Sequence, residues 1–196
     1  MNRDCLRKVL QDLADQKLSV EEAMDTLKIL PFQDLGYAKL DSHRALRDNF
    51  PEVIYCPGKT PQEVAELISH LHQARQNVIA TRAEAETYDA VIQVVPQAQY
   101  DERSRMITVV NNPVSGLGTV AVITAGTADI PVAEEAARSL EVMGASVNRI
   151  FDVGVAGIHR LLDKIGELNK AQVLIVVAGM DGALPSVVGG LTSRPV

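Results

Sequence analysis

The regular alternation over residues 119–178 constrains the fold more than any other feature of the chain. Stretches that read as strands at 119–124, 146–151 and 172–178 are separated by stretches that read as helices at 130–143 and 156–168. Strands and helices alternating at this spacing imply right-handed βαβ crossovers and a parallel sheet covered on both faces. Within the first run, 120–123 reads as a strand buried on both sides. Gly126 permits a tight turn after it, and Pro131 suits the first turn of a helix carrying Glu134 and Glu135. Ligands of such sheets lie outside the carboxyl ends of the strands, so the loops 125–129, 152–156 and 179–182 are expected to converge.

Ahead of this block the pattern is less regular. Leu6, Val9, Leu10 and Leu13 fall at helical spacing, and Ser19 with Glu22 is a capping-box signature ahead of Ala23, Leu27 and Leu30. Pro31 stops that second helix, 32–41 reads as a turn and a short strand, and 41–47 is a polar run. A short strand over 50–55 precedes a helix that has Thr60 as N-cap and Pro61 at its first position and runs to about Gln73. A strand at 77–81, a helix at 85–94 stopped before Pro96, and a strand at 105–110 bounded by Asn111, Asn112 and Pro113 complete a small mixed α/β layer.

The small-residue stretch 115–118 marks a boundary at about 113–118. The expected organisation is an N-terminal helical and mixed α/β domain, 1–115, followed by an α/β nucleotide-binding domain, 116–196, with a three-layer parallel sheet. Residues 185–191 begin as a helix or turn, and 193–196 read as the start of a strand with a single apolar residue. A buried strand needs roughly 4–8 residues, so the second domain is expected to be incomplete at its C-terminus.

Composition narrows the function. With 46% hydrophobic residues the chain can bury a core, and 19 Lys and Arg against 25 Asp and Glu give a net charge of −6, which disfavours nucleic acid as partner. No apolar run is long enough to span a bilayer and no apolar leader opens the chain, so neither membrane nor export is expected. Two cysteines make no disulfide framework, and a cytoplasmic setting follows. The four histidines, at 43, 70, 72 and 159, show no ligand spacing, and no metal site is expected.

Each candidate residue admits two readings. Asp129 can cap the following helix or contact a ligand. His159 and Arg160 can move a proton and hold an anion, or form a solvated helix face. Asp181, between Gly179 and Gly182, can be a turn residue or a carboxylate used in proton transfer. The 125–128 turn is neither a Walker sequence nor GxGxxG. Cys5 and Cys56 are packing residues or nucleophiles.

Three motifs carry a family resemblance: Thr124-Ala-Gly-Thr-Ala-Asp-Ile-Pro-Val-Ala-Glu-Glu-Ala136, Asp152-Val-Gly-Val-Ala-Gly-Ile-His-Arg160 and Ala178-Gly-Met-Asp-Gly-Ala-Leu-Pro-Ser-Val-Val-Gly-Gly190. With Leu40-Asp-Ser-His-Arg44, Phe50-Pro-Glu-Val-Ile54 and Gly58-Lys-Thr60, the chain resembles the LarB family of nickel-pincer cofactor biosynthesis. The second half of that family is similar to aminoimidazole ribonucleotide (AIR) carboxylase, PurE. The resemblance implies a synthase that carboxylates the pyridinium ring of nicotinic acid adenine dinucleotide and cleaves its phosphoanhydride. The products are pyridinium-3,5-biscarboxylic acid mononucleotide and AMP.

The same resemblance implies site residues. Gly126, Thr127, Ala128 and Asp129 match the phosphate-binding turn, Gly154, Val155, Ala156 and Arg160 the second loop, and Gly179, Met180 and Gly182 the third. Asp181 and His159 stand at catalytic positions, and the nucleophilic cysteine is expected beyond Val196, which would leave these 196 residues inactive alone. The substrates are the dinucleotide and CO2 or bicarbonate, with no resident cofactor, room for Mg2+, and a homo-oligomer when intact. AIR carboxylation in purine synthesis and a non-catalytic nucleotide-binding and assembly module are the alternatives.

Overall fold

The computed structural model describes residues 3–27, 33–34, 39–40 and 50–196, with side chains over 7–26 and 50–196. Two compact units result, 1–52 and 53–196. In the first, α1 (Arg3–Ala14) and α2 (Val20–Leu27) pack together, and Val9 and Ala23 are buried. The expected capping box is present: Ser19 N–H donates to Glu22 Oε2 at 2.8 Å and Glu22 N–H to Ser19 Oγ at 3.1 Å. Within 32–41, β1 (Gln33–Asp34) and β2 (Lys39–Leu40) pair antiparallel. The helix stop at Pro31, the polar run 41–47 and the remainder of the 40–44 motif lie outside the described residues.

The second unit holds two sheets. One has the order β3-β4-β6-β5, built from β3 (Glu52–Tyr55), β4 (Val78–Thr81), β5 (Gln99–Asp101) and β6 (Met106–Val109). Between β3 and β4 runs α3 (Pro61–Gln73), capped as its sequence predicts. Thr60 Oγ1 accepts from Glu63 N–H, and the Glu63 carboxylate accepts from Thr60 N–H at 2.7 Å. Val64, Ile68 and Leu71, at spacings of four and three, are fully buried, and α3 packs on α4 (Ala85–Val94).

Strand β5 was not expected. Only Tyr100 favours a strand there, and the hairpin turn to β6 contains no glycine. Its bend is made instead by Asp101, which accepts from Ser104 N–H and Oγ at 2.8 and 2.7 Å, and by Arg105 at φ 54°.

The other sheet is parallel, order β8-β7-β9, from β7 (Thr119–Thr124), β8 (Ser146–Ile150) and β9 (Val173–Val177). Side chains of β7 alternate between two cores. Ala121 and Ile123 join Leu161, Leu168, Leu174, Leu184 and Val188, whereas Val122 meets Ala133 and Ala137 of α5 (Ile130–Met143). A fully buried aliphatic side chain contributes roughly 1.5–3 kcal/mol, so this alternation fixes β7 at the sheet centre. The expected helix over 156–168 is broken into a 3-10 turn at 155–157, α6 (Ile158–Asp163) and α7 (Ile165–Leu168). A last helix, α8 (Ala183–Leu191), follows β9, and Leu174 N–H donates to Pro195 O at 2.9 Å, laying residue 195 along that strand.

The sequence boundary at 113–118 falls inside the second unit, because α5 serves both sheets. Its Val142 packs with Ile79 of β4 and Met106 of β6, Arg138 pairs with Asp101 at 2.6 Å, and Glu135 lies 3.9 Å from Arg82. No helix among the described residues is long and apolar enough to cross a membrane.

Candidate functional site

Three hydrogen bonds bring the loops at the carboxyl end of the parallel sheet together. Ala125 N–H donates to Val177 O at 3.1 Å, Val153 N–H to Thr124 O at 3.0 Å, and Asp152 N–H to Thr124 Oγ1 at 3.0 Å. Thr124 is fully buried, so its hydroxyl is a fixed anchor for the loop after β8. Asp152 takes up φ 60° to make this turn. Gly154 is required by proximity: a Cβ there would stand 2.7 Å from the Ala125 carbonyl oxygen. The three loops enclose a cavity of about 300 Å³.

Most of the sequence-predicted residues line it: Gly126, Ala128, Asp129, Gly154, Val155, Ala156, Gly179, Met180 and Asp181. Ala125, from the first predicted loop, and Ala178, Ala183 and Leu184, which were not among the predicted site residues, complete the wall. They directly flank predicted positions, and Leu184 forms a buried floor.

Asp129 does not cap α5 with its side chain. Its Oδ2 accepts from Gly126 N–H at 2.8 Å, closing the 3-10 turn ahead of that helix, and its Oδ1 lies 4.0 Å from where a Gly179 Cβ would stand. The carboxylate therefore sits between the first and third loops. In the third loop Gly182 N–H donates to Gly179 O at 3.0 Å, and Asp181 Oδ1 accepts from Ala183 N–H at 3.3 Å. Met180 adopts φ 55° and is 110% exposed, a strained and unpacked position for a large apolar side chain.

Thr127, His159, Arg160 and Gly182 do not line the cavity. Thr127 and His159 are exposed. Arg160 pairs with Asp152 and lies over Gly157, where an added Cβ would come 2.7 Å from the guanidinium Nε. Cys56 is 5% exposed; burial pushes its thiol up to about 11, only partly opposed by the charge of Lys59. The Cys5 side chain lies outside the described residues. Among the described residues no cluster of three metal-binding side chains occurs.

The architecture defines a class: a parallel α/β sheet with its ligand crevice at the carboxyl ends of the strands, where successive connections leave in opposite directions. The profile of the LarB/PurE-like N-terminal domain matches residues 32–112, and that of AIR carboxylase matches residues 119–196. An uncharacterized protein of Methanocaldococcus jannaschii is 35% identical over 201 residues, covering 97% of this chain and 78% of that protein. The N5-carboxyaminoimidazole ribonucleotide mutase of the same organism is 36% identical over 80 residues, 39% of this chain and 48% of the mutase. The chain belongs to the LarB family, with a PurE-like second part, and its role is carboxylase-like.

Proposed function

We propose that the protein carboxylates the pyridinium ring of nicotinic acid adenine dinucleotide and that attack of water on the phosphoanhydride, breaking its P–O–P bond, releases AMP and the mononucleotide, in nickel-pincer cofactor biosynthesis. One observation carries the reading beyond the family. The cavity wall holds two carboxylates, Asp129 and Asp181, and no Lys, Arg or His. A wall of that charge suits the positive ring nitrogen, with the ring's own carboxylate turned away from Asp129 and Asp181, and disfavours a phosphate, so the ring goes in and the phosphates stay outside.

A pyridinium carbon is electron-poor and does not attack CO2. Addition of a thiolate to the ring makes an enamine-like carbon that does. That carbon forms the new C–C bond, its proton leaves to a base, and expulsion of the thiolate restores the aromatic ring. Asp181 is the base in this scheme: it is exposed at the cavity rim, and its known partner is one backbone N–H. Asp129, fixed by Gly126, holds the ring's positive charge. The loops 126–129, 154–156 and 179–182 let the substrate approach the backbone closely. Arg160 reaches an anionic group only by leaving Asp152, and His159 serves at most from outside the wall. Cys56, buried and protonated, is not the thiolate. The reading needs one supplied from outside the described residues and, with none supplied, predicts binding without turnover. It also assigns a division of roles near residue 115, a cytoplasmic setting, a homo-oligomer, and no nucleic-acid or membrane partner.

The test is incubation with the dinucleotide and 13C-bicarbonate, with a free thiol added in one arm. Formation of a 13C-carboxylated mononucleotide with AMP is expected, and Asp181→Asn should slow it at least tenfold. Tight dinucleotide binding with no carboxylation under any thiol condition would remove the reading. The match to the mutase supports a second reading, carboxylation of aminoimidazole ribonucleotide. Turnover of that neutral, phosphate-bearing substrate would favour it over the first.

A further inference from the structure

A second cluster lies at the carboxyl ends of β3 and β4, and the cavity chemistry does not use it. Tyr55, the last residue of β3, is half exposed, and the Arg82 guanidinium carbon stands 5.6 Å from its ring centroid. Lys59 folds back so that its ammonium donates to Tyr55 O at 2.8 Å, beside Gly58, whose α-carbon faces open space. Arg82 holds φ 54°, a backbone state that a non-glycine residue adopts at a cost, and its side chain is 57% exposed. The cluster thus presents an aromatic ring, a guanidinium and an ammonium together in a chain of net charge −6.

Its direction relative to the cavity is set by α5. Ile79, early in β4, packs on Val142 near the C-terminal end of α5, whereas Arg82, just past the other end of β4, reaches Glu135. Strand β4 therefore runs against α5, and its carboxyl end points towards the helix start that carries the Asp129 loop. Glu135 is six residues from Asp129, about 9 Å at roughly 1.5 Å per residue. That is of the order of the reach from a nucleotide's ring to its second phosphate.

We propose that Tyr55, Lys59 and Arg82 form a nucleotide-binding locus: a base stacks on the Tyr55 ring, and phosphate oxygens take the Lys59 ammonium and the Arg82 guanidinium. Base–aromatic stacking and charge-assisted hydrogen bonds to phosphate are the chemistry that these three groups supply together. Glu135 is the resting partner of Arg82, at 3.9 Å too far for a hydrogen bond, so phosphate displaces it at little cost. The inference rests on the dinucleotide reading for its biological ligand: the locus takes the adenylate half while the pyridinium ring occupies the cavity. The binding itself requires no turnover.

The experiment is calorimetric titration of AMP, and separately of inorganic phosphate, into the chain. AMP is expected to bind and phosphate to bind much more weakly. Tyr55→Ala, Lys59→Ala and Arg82→Ala should each weaken AMP roughly tenfold or more, and Tyr55→Phe, which keeps the ring, should bind as the parent does. Variants that melt at the parent temperature are compared, so loss of fold is not read as loss of binding. If AMP fails to bind, or its affinity ignores all three alanine changes, or phosphate competes as well as AMP does, the locus is overturned. Carboxylation with AMP affinity indifferent to these residues sinks this inference and spares the proposed function. Tyr55-dependent AMP binding without carboxylation does the reverse.

Discussion

Replacing Gly154 by alanine tests how the three loops are held together. The residue has φ −59°, so alanine pays no conformational penalty, and the whole effect comes from contact. The added Cβ would lie 2.7 Å from Ala125 O and 3.3 Å from Ala125 C, both backbone atoms that no rotamer change can move. Against an ordinary contact of 3.4 Å the overlap with the oxygen is about 0.7 Å, and overpacking of this kind costs roughly 1–3 kcal/mol. Taking about 2 kcal/mol, at roughly 2–4 °C per kcal/mol for a unit of this size, the melting temperature should fall by about 4–8 °C. Because the atom that must yield begins the Asp129 loop, dinucleotide affinity should fall by about tenfold or more as well. Gly166→Ala is the control: its Cβ meets nothing within 4 Å on an exposed helical turn, and it should gain about 0.5–1 kcal/mol. Thermal unfolding followed by circular dichroism reads both changes. A Gly154→Ala protein that melts within a degree of its parent, with unchanged affinity, would refute the argument that loop closure depends on this approach.

Three other outcomes are expected. Met180→Gly removes a side chain that packs against nothing and relieves φ 55°, so it should raise stability by up to about 1 kcal/mol while weakening ligand binding; tighter binding would show that Met180 has no part in the site. Cys56, its thiol raised to about 11 by burial, should resist iodoacetamide at pH 8 in the folded chain and label on denaturation, as peptide mass mapping would show; its contribution to stability is whole below the ordinary thiol range and is lost as pH rises towards 11, and rapid labelling of the native chain contradicts this. Burial pushes the Asp101 carboxyl up, but the Ser104 hydrogen bonds and Arg138 outweigh it and hold it below the usual range. Its contribution is therefore complete above about pH 4 and is lost as pH falls through the lower folded value. Asp101→Asn should destabilise at pH 7 and much less at pH 3 in urea titrations, and equal shifts at both values would reject the assignment.

The parallel sheet was legible because 120–123 and 173–177 read as unbroken apolar runs; β8, with Ser146, Asn148 and Arg149, was legible only from its place in the strand–helix alternation. The cavity-lining residues were legible for a related reason, since strand ends followed by glycines are where ligands of such sheets bind. Strand β5 was not, because Gln99 and Asp101 are polar and its turn uses Arg105 where glycine would have signalled a hairpin. What the second face of α5 meets was not legible either. Residues 115–118 look like a linker, but Val142, Arg138 and Glu135, spaced by three and four along α5, address the other sheet, and periodicity alone cannot say what a second helix face will meet. The withdrawal of Arg160 from the wall depends on Asp152, an eight-residue relation through a left-handed turn that sequence spacing does not announce.

Charge placement bears on how a dinucleotide would lie on this unit. Asp129 and Asp181 face the cavity with no cation on its wall, while Lys59 and Arg82 are exposed towards the same end of α5. Unit charges 4 Å apart attract or repel by about 1 kcal/mol in water and about 4 kcal/mol at an effective dielectric of 20. A cationic ring placed in the cavity and phosphates placed outside it therefore gain at both ends, and the reversed orientation loses at both. The difference, screened by water where Asp181, Lys59 and Arg82 are exposed, would bias the orientation of the dinucleotide before any close contact forms. The spacing of the two charge environments follows from the same element: Asp129 ends the 3-10 turn that leads directly into α5, and Glu135, the resting partner of Arg82, lies on α5 six residues on.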